Sequence, residues 1–550
     1  MRHAALGAVA VLALAGCSRK QTSGRSCAPR DEVRIALAVS PNTLDWSRSS
    51  DSSWGNYPVM HAIMRGLTTL DEKHQPVPDL AERWDVTTTQ DDPPHQVYTF
   101  HLRTNVTWSD GKTPLTAQDF VVGWRRALGG NDKNELADLV GASDVVTAGS
   151  DAVKLSAAYQ KLGVEAVDDH TLRVTLVSPR SYFLERVALV YPFFPVPSAE
   201  LKGKGEEEIG RYFNEPAGGK PMTLGAFQVD RWDRAGDTIV LTPNPTAGDQ
   251  PNALKRLVLM HADLASVLYD KCEIDVYMMD DPSLLRTPPP DTVRVPLLST
   301  YWLGINAQKP YLNLALRHAI SHAIDREKAV AGLVPVTRPA FGLLPPDLPG
   351  AVAPGDPLAK DFPTFDMAAA KQEVAASGYD GRELTLLVSS GNSFLPEPGI
   401  AEAIRGQLAT VGVKVRVVPS ANLNDDAKLM QHDLLLKRTG ADYAHPETFM
   451  SVWKRGGHNF TSWDQLDGGA GIDKLMQLTD QGAVELDPAA MRPIYVQAQK
   501  LLLVDDAVVV PIYYPDRYFR KRPWVAGLEI NPFNFFTMRT LHLATTEPSH

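Results

Sequence analysis

Positive charge, cysteine and long apolar runs are all scarce in this chain of 550 residues. Acidic residues outnumber basic ones 65 to 55, giving a net charge of −10. No basic stretch interleaved with aromatics interrupts that background, which excludes a nucleic-acid partner of the usual kind. After residue 15 no apolar run approaches the ~20 residues of a membrane-spanning helix. Catalytic signatures are missing too. Gly111-Lys112-Thr113 resembles the end of a phosphate loop, but Val106 stands where its first glycine is required. Neither a Gly-x-Ser-x-Gly elbow nor a His-Glu-x-x-His helix occurs. His318 and His322 have the i,i+4 spacing of a metal pair, but Ala319 follows His318 where a zinc protease has Glu. Both histidines read as polar residues on the less buried face of a helix whose other side carries Leu316, Ile320 and Ile324. The acidic doublets, such as Asp425-Asp426 and Asp505-Asp506, read as loop and cap residues. The expectation is a protein with no metal, no cofactor and no catalysis.

What the chain does have begins at Met1-Arg2-His3, a short positive head followed by an apolar run over 4–15 and then Leu14-Ala15-Gly16-Cys17. This is the layout of a secretory signal. The Leu-Ala-Gly-Cys ending resembles a bacterial lipobox, which makes Cys17 the acylated anchor of the mature protein. Several acyl chains at ~0.8 kcal/mol per buried CH₂ hold a protein on a bilayer. Ser18 after that cysteine resembles the signal for the outer of two membranes. Residues 18–30 are polar and read as a flexible tether. An exported protein could pair Cys27 with Cys272. Because Cys27 falls in the tether, two free thiols are expected.

Proline is abundant, at 42 residues, and the periodicities alternate between strand and helix. Val33–Val39 and Val97–Arg103 predict strands, and Asp110-Gly111 a turn. Thr116-Ala117-Gln118-Asp119 predicts a capping box opening a helix through Phe120, Val121 and Trp124. Leu172, Val174 and Leu176 alternate as a strand does. Leu384–Val388, then Ile400, Ile404 and Leu408 at helical spacing, a stop at Gly412 and the alternating Val413–Val417 predict a β–α–β unit. The chain is of the α/β class.

Several segments, read in order, resemble the oligopeptide-binding proteins of bacterial ABC importers, family 5 of the extracellular solute-binding proteins. They include Arg65-Gly66-Leu67, Pro78–Trp84, Tyr98–Arg103, Trp108–Gly111, Thr116–Phe120, Gly163–Leu172, Phe194–Pro197, Arg317–Glu327, Pro511–Tyr514 and Asn531-Pro532. No single segment is specific, but they are collinear over nearly the whole mature chain. The resemblance implies a clamp of the periplasmic-binding-protein type (class II, cluster C), with two α/β lobes closing on a ligand and a third, extra domain beside the first. It divides the chain into a signal over 1–17, a tether over 18–30, a first lobe from 31–67, 213–300 and 515–550, an extra domain over 68–212 and a second lobe over 301–514.

It also implies a ligand chemistry. In Ala441-Asp442-Tyr443, Asp442 matches the family's aspartate that pairs with the free α-ammonium of a bound peptide, while neighbouring backbone pairs with the peptide as an added strand. A receptor for peptides of varied sequence must grip what they share: the ammonium and the main chain. Arg438, Gly440 and Tyr443 flank that aspartate. Ser53, Trp54 and Gly55 match the family's peptide-facing edge in the first lobe, and Tyr513 and Tyr514 could reach ligand carbonyls. Arg438-Thr439-Gly440 departs from the family's Gly-Trp-Cys-like run. The departure removes an aromatic wall, leaves no cysteine partner for Cys272 and adds a cation that could meet a ligand carboxylate. The implied function is capture of short peptides by a monomeric, lipid-anchored protein that delivers them to an ABC permease. The alternatives are another solute on the same scaffold (a metal chelate, a sugar or a cell-wall fragment), or a sensory or enzymatic derivative.

Overall fold

The computed structural model describes residues 27–48, 55–131, 133–215, 220–248, 254–279, 281–331, 338–390, 397–533 and 536–544. Two large mixed sheets organise it. The first has seven strands in the order Thr292–Pro296, Asp516–Lys521, Val276–Met278, Glu32–Leu37, Arg256–His261, Thr238–Pro243 and Phe227–Asp233. The second has six: Arg338–Pro339, Val509–Tyr514, Ser299–Ile305, Leu434–Gly440, Glu383–Ser389 and Lys414–Ser420. A smaller antiparallel sheet of four strands is built from Ala81–Thr88, Gln96–Leu102, Thr171–Leu176 and Val164–Asp168. Each sheet buries apolar side chains on helices, as a two-layer α/β architecture requires.

Local chemistry explains the elements. The helix Ala117–Leu128 opens on the predicted capping box, in which the Thr116 backbone N–H donates to the Asp119 carboxylate at 2.9 Å. The β–α–β unit runs as Glu383–Ser389, Glu397–Thr410 and Lys414–Ser420. Gly412 ends its helix at φ +88°, a left-handed conformation that glycine adopts without cost. Ile400, Ile404 and Leu408 are fully buried against Leu384, Leu386 and Leu434.

The chain passes between the two large sheets at two places, and both crossings are short. Only Leu297 and Leu298 separate Thr292–Pro296 from Ser299–Ile305, and only Pro515 separates Val509–Tyr514 from Asp516–Lys521. The crossings are bonded together: the Leu297 N–H donates to the Pro515 carbonyl at 3.1 Å, and the Leu298 N–H to that of Pro532 at 2.9 Å. Two adjacent single-residue or two-residue passages form a hinge. Asp516, its carboxylate wholly buried beside the hinge, is gripped from its own sheet by Arg294 at 2.6 Å and faces Arg338 of the other sheet at 3.7 Å.

One expectation is overturned. Cys27 and Cys272 form a disulfide, 245 residues apart in sequence. The cause is strand order. Glu32–Leu37 and Val276–Met278 are parallel neighbours, with Ile35 opposite Val276. The segments entering two parallel strands lie at the same end of the sheet, so the residues just before them meet. Arg30 reinforces the junction by donating to the Cys272 carbonyl at 2.7 Å, and the Asp275 carboxylate accepts from the Arg34 N–H at 2.8 Å.

Candidate functional site

Asp442 lies just beyond the end of the strand Leu434–Gly440, in a turn leading to the short helix Glu447–Met450. Its side chain is exposed, although Ala441 and Tyr443 on either side are buried. The turn is braced from three directions. The Ala441 N–H donates to the carbonyl of Leu298, a hinge residue, at 2.8 Å. The Asp442 N–H donates to the Thr448 hydroxyl at 3.3 Å. The Tyr443 hydroxyl donates to the Glu447 carboxylate at 2.6 Å, and Glu447 also receives the Lys454 ammonium at 2.7 Å. Burial would raise the Glu447 carboxyl, but Lys454 and Tyr443 outweigh it and hold its pKa below the ordinary glutamate value. Glu447 is therefore a charged, fully engaged strut.

The segment that follows the smaller antiparallel sheet closes the turn from the far side. The Tyr182 ring stacks on Tyr443, with centroids 5.1 Å apart and planes inclined by 25°. The Ser181 hydroxyl lies 3.1 Å from the His445 imidazole and donates to the Ala483 carbonyl at 2.9 Å. The Arg186 guanidinium lies over the Tyr443 ring and is itself held by Asp138 at 2.9 Å and Glu135 at 2.8 Å. Glu185 accepts from the Ala444 backbone N–H, and burial pushes its carboxyl up to about 7. Burial pulls His445 down to about 4, so it is neutral at physiological pH.

The remaining candidates fall into two groups. Arg438, Gly440 and Tyr513 share the second sheet with Tyr301, which pairs with Arg438 on one side and Tyr513 on the other. Gly440 pairs with Ser299, to whose hydroxyl the Arg438 guanidinium donates at 3.4 Å. Tyr301 and Tyr513 stack face to face at 4.5 Å, both buried. Arg517, from the first sheet, and Glu397, at the start of the helix Glu397–Thr410, bear electrostatically on both rings. This polar cluster beside the hinge thus draws on both lobes. Tyr514 belongs elsewhere, since its buried hydroxyl donates to the Gly342 carbonyl at 2.8 Å and accepts from the Gly342 N–H at 3.2 Å. Gly55 opens the helix Asn56–Ile63, where a side chain would strike the carbonyl oxygens of Val39 and Ser40. Ser53, Trp54 and Cys17 lie outside the described residues.

The two histidines have separate protein partners: His318 Nε2 meets the Val504 carbonyl at 2.7 Å, and His322 pairs with Glu373 at 2.9 Å. Among the described residues no group of three His, Cys, Asp or Glu could hold a metal, and no helix is long and apolar enough to cross a membrane. The supports of the Asp442 turn leave no mark in the sequence. Tyr182, Glu185, Arg186 and His445 carry no spacing that announces a shared site, because they come from segments some 260 residues apart.

Comparison with known proteins decides the family. The model for the middle part of bacterial extracellular solute-binding proteins, family 5, matches residues 75–461. The chain belongs to this family. The periplasmic oligopeptide-binding protein OppA of Escherichia coli (strain K12) is 30% identical over 491 residues, covering 85% of this chain and 84% of that protein. The probable deoxycholate-binding periplasmic protein YgiS of the same strain is 26% identical over 534 residues, covering 94% of each. A solved structure of a periplasmic oligopeptide-binding protein from Borrelia burgdorferi covers 93% of this chain and all of that one, with a TM-score of 0.74 at 22% identity. Family 5 proteins are extracytoplasmic solute-binding proteins rather than enzymes, and the two-lobed α/β clamp is their fold.

Proposed function

We propose that this chain captures short peptides with an unblocked amino terminus between its two lobes and delivers them to an ABC permease. Asp442 is the acceptor for the α-ammonium. The observation that carries the reading is an exposed carboxylate at the end of a central strand, on a turn whose backbone is bonded to the hinge at Leu298. A carboxylate–ammonium bond of this kind contributes roughly 1.5–3 kcal/mol, and an acyl group on the nitrogen removes the charge that makes it. The test is calorimetry with tri-alanine and N-acetyl-tri-alanine on wild type and Asp442→Asn. Wild type should prefer the free peptide by roughly 10- to 100-fold, and the variant should lose that preference. Equal affinity of the wild type for both peptides would remove Asp442 from this role.

Three finer features go with this reading. Acylation at Cys17 anchors the protein, which labelling with radioactive palmitate in wild type and Cys17→Ala reads directly. The protein acts as a monomer, a state that sedimentation tests. The lobes comprise 31–67, 213–300 and 515–550 on one side and 301–514 on the other, with 68–212 as the extra domain. The short hinge passages at Leu297-Leu298 and Pro515 support that division.

A second reading, a non-peptide anionic solute, draws support from Arg438 at the hinge-side cluster and from a relative described as probably deoxycholate-binding. Native mass spectrometry of the purified protein separates the two by the mass of the retained cargo.

A further inference from the structure

The segment Ser181–Leu189 has two allegiances. The small sheet that precedes it belongs to the same continuous apolar core as the first large sheet, a core that includes Tyr98 and Phe100 from the one and Val33, Ile35 and Trp232 from the other. Tyr182, Ala188 and Leu189 belong instead to the core of the second lobe, with Leu298, Tyr443, Phe449 and Trp453. The extra domain therefore travels with the first lobe but ends against the turn that carries Asp442 on the second.

That contact is built from polar as well as apolar parts. Besides the Tyr182–Tyr443 stack, the Ser181 N–H donates to the Ala483 carbonyl at 2.7 Å and its hydroxyl reaches His445. Arg180 and Arg186 both bind the Asp138 carboxylate, at 2.8 and 2.9 Å, which also accepts from the Tyr182 hydroxyl at 3.2 Å. The Tyr182 ring is thus fixed from behind before it meets Tyr443. On the other side, the Glu447 N–H donates to His445 Nδ1 at 3.1 Å, fixing the imidazole that faces Ser181. Neither partner is a loose side chain meeting another by chance.

We propose that Ser181 and Tyr182 of the extra domain are positioning residues for Asp442, setting the turn 441–447 for the ammonium when the lobes close. The inference rests on the Asp442 reading and deepens it. A carboxylate already held in place loses less freedom on binding, and this pre-organisation appears as affinity. The hinge bond from Ala441 to Leu298 fixes one side of the turn irrespective of what the extra domain does. The other side is complete only while Tyr182 sits on Tyr443. Rotation about the hinge moves the second lobe relative to the first and to the extra domain attached to it, so it must shear this seat. Closure and the set of the Asp442 turn are then one event.

The experiment compares wild type, Asp442→Asn, Ser181→Ala, Tyr182→Ala and Tyr182→Phe, with tri-alanine and its N-acetyl form as probes. The readout is the ratio of the two dissociation constants. Tyr182→Ala should lower the ratio by tenfold or more and Ser181→Ala by at least threefold, while Tyr182→Phe, which keeps the ring, should stay within twofold of wild type. If Asp442→Asn collapses the ratio and Tyr182→Ala does not, positioning fails and the ammonium reading stands. If Asp442→Asn leaves the ratio unchanged, the ammonium reading fails and this inference goes with it. Hydrogen exchange of the unliganded protein gives a second measure that needs no ligand. Amides of 441–448 should exchange at least tenfold faster in Tyr182→Ala and in Ser181→Ala, with the strand Lys414–Ser420 unchanged. Equal acceleration in both regions, or none, would overturn the proposal.

Discussion

Replacing Cys27 by serine opens a covalent loop spanning 245 residues of sequence. In the chain-entropy model a cross-link removes about 2.1 + 1.5R ln n cal/mol/K from the unfolded ensemble, which for this loop is about 5.5 kcal/mol at 25 °C. Measured disulfides deliver about 0–5 kcal/mol, so a loss of about 2–5 kcal/mol is expected for Cys27→Ser. The loss should be local. The bond clamps the strand Glu32–Leu37 to its parallel neighbour Val276–Met278, both in the first lobe's sheet. A chain of several domains need not unfold in one step, so the first-lobe transition should move and the second-lobe transition should not. The assay is urea denaturation under oxidising conditions, followed by hydrogen exchange with peptide-level resolution to assign each transition. Wild type in excess reductant should coincide with Cys27→Ser/Cys272→Ser. If Cys27→Ser and wild type unfold at the same midpoint, or if both lobes shift together, the disulfide does not hold the first sheet as reasoned here.

The contact around the Asp442 turn carries two titrations of opposite sign. His445, drawn down by burial to about 4, binds fewer protons in the folded state than when unfolded; stability therefore falls as pH drops from 6.5 towards 4, by up to about 3 kcal/mol. Glu185, raised by burial to about 7, binds more protons when folded; its contribution is full below about 4.5 and is lost as pH rises towards 7, again up to about 3 kcal/mol. Melting temperatures from pH 4 to 7.5 should show His445→Gln flattening the acid-side loss and Glu185→Gln flattening the loss towards neutrality, and a Glu185→Gln curve parallel to wild type would contradict the assignment. Two glycine substitutions should move in opposite directions. Gly55→Ala would place its Cβ 2.5 Å from the Val39 carbonyl oxygen, so about 1–3 kcal/mol of destabilisation is expected. Gly406→Ala, on the helix Glu397–Thr410 with nothing within 4 Å of its Cβ, should stabilise by about 0.5–1 kcal/mol, and thermal unfolding measures both.

The legible parts of this fold are those whose signal is local. The capping box at Thr116 and Asp119, the alternation of Leu172, Val174 and Leu176, and the β–α–β unit whose helix stops at Gly412 each draw on one short continuous stretch of chain, and each has its element. The disulfide was not legible, because its cause is the adjacency of two parallel strands some 240 residues apart, and no spacing records strand order. The same limit applies to Tyr514. Its hydroxyl is taken by the backbone of Gly342, a partner 172 residues away, so a residue that pattern alone offers to a ligand is a structural tie. Asp442 is legible as a candidate only because its neighbours along the chain resemble a family motif. Nothing along the chain indicates that Ser181 and Tyr182 stand against Tyr443 and His445 in the same turn.

In the proposed reading, the position of Asp442 links capture of the ammonium to the clamp's movement. A carboxylate on a rigid strand would be equally ready in open and closed forms, and would gain nothing from the extra domain. Asp442 instead lies one residue past a backbone bond to the hinge and one residue before a tyrosine whose ring rests on Tyr182. In that reading the turn has one support, at Leu298, that hinge rotation leaves in place, and one, at Tyr182, that the same rotation shears. A ligand that pairs with Asp442 favours the closed form by the difference between its affinities for the two arrangements, and by no more than that. If that difference comes from the Tyr182 seat, removing the ring should weaken free peptides while sparing acylated ones. Truncating Tyr513, deep beside the hinge and stacked on Tyr301, would instead weaken both alike.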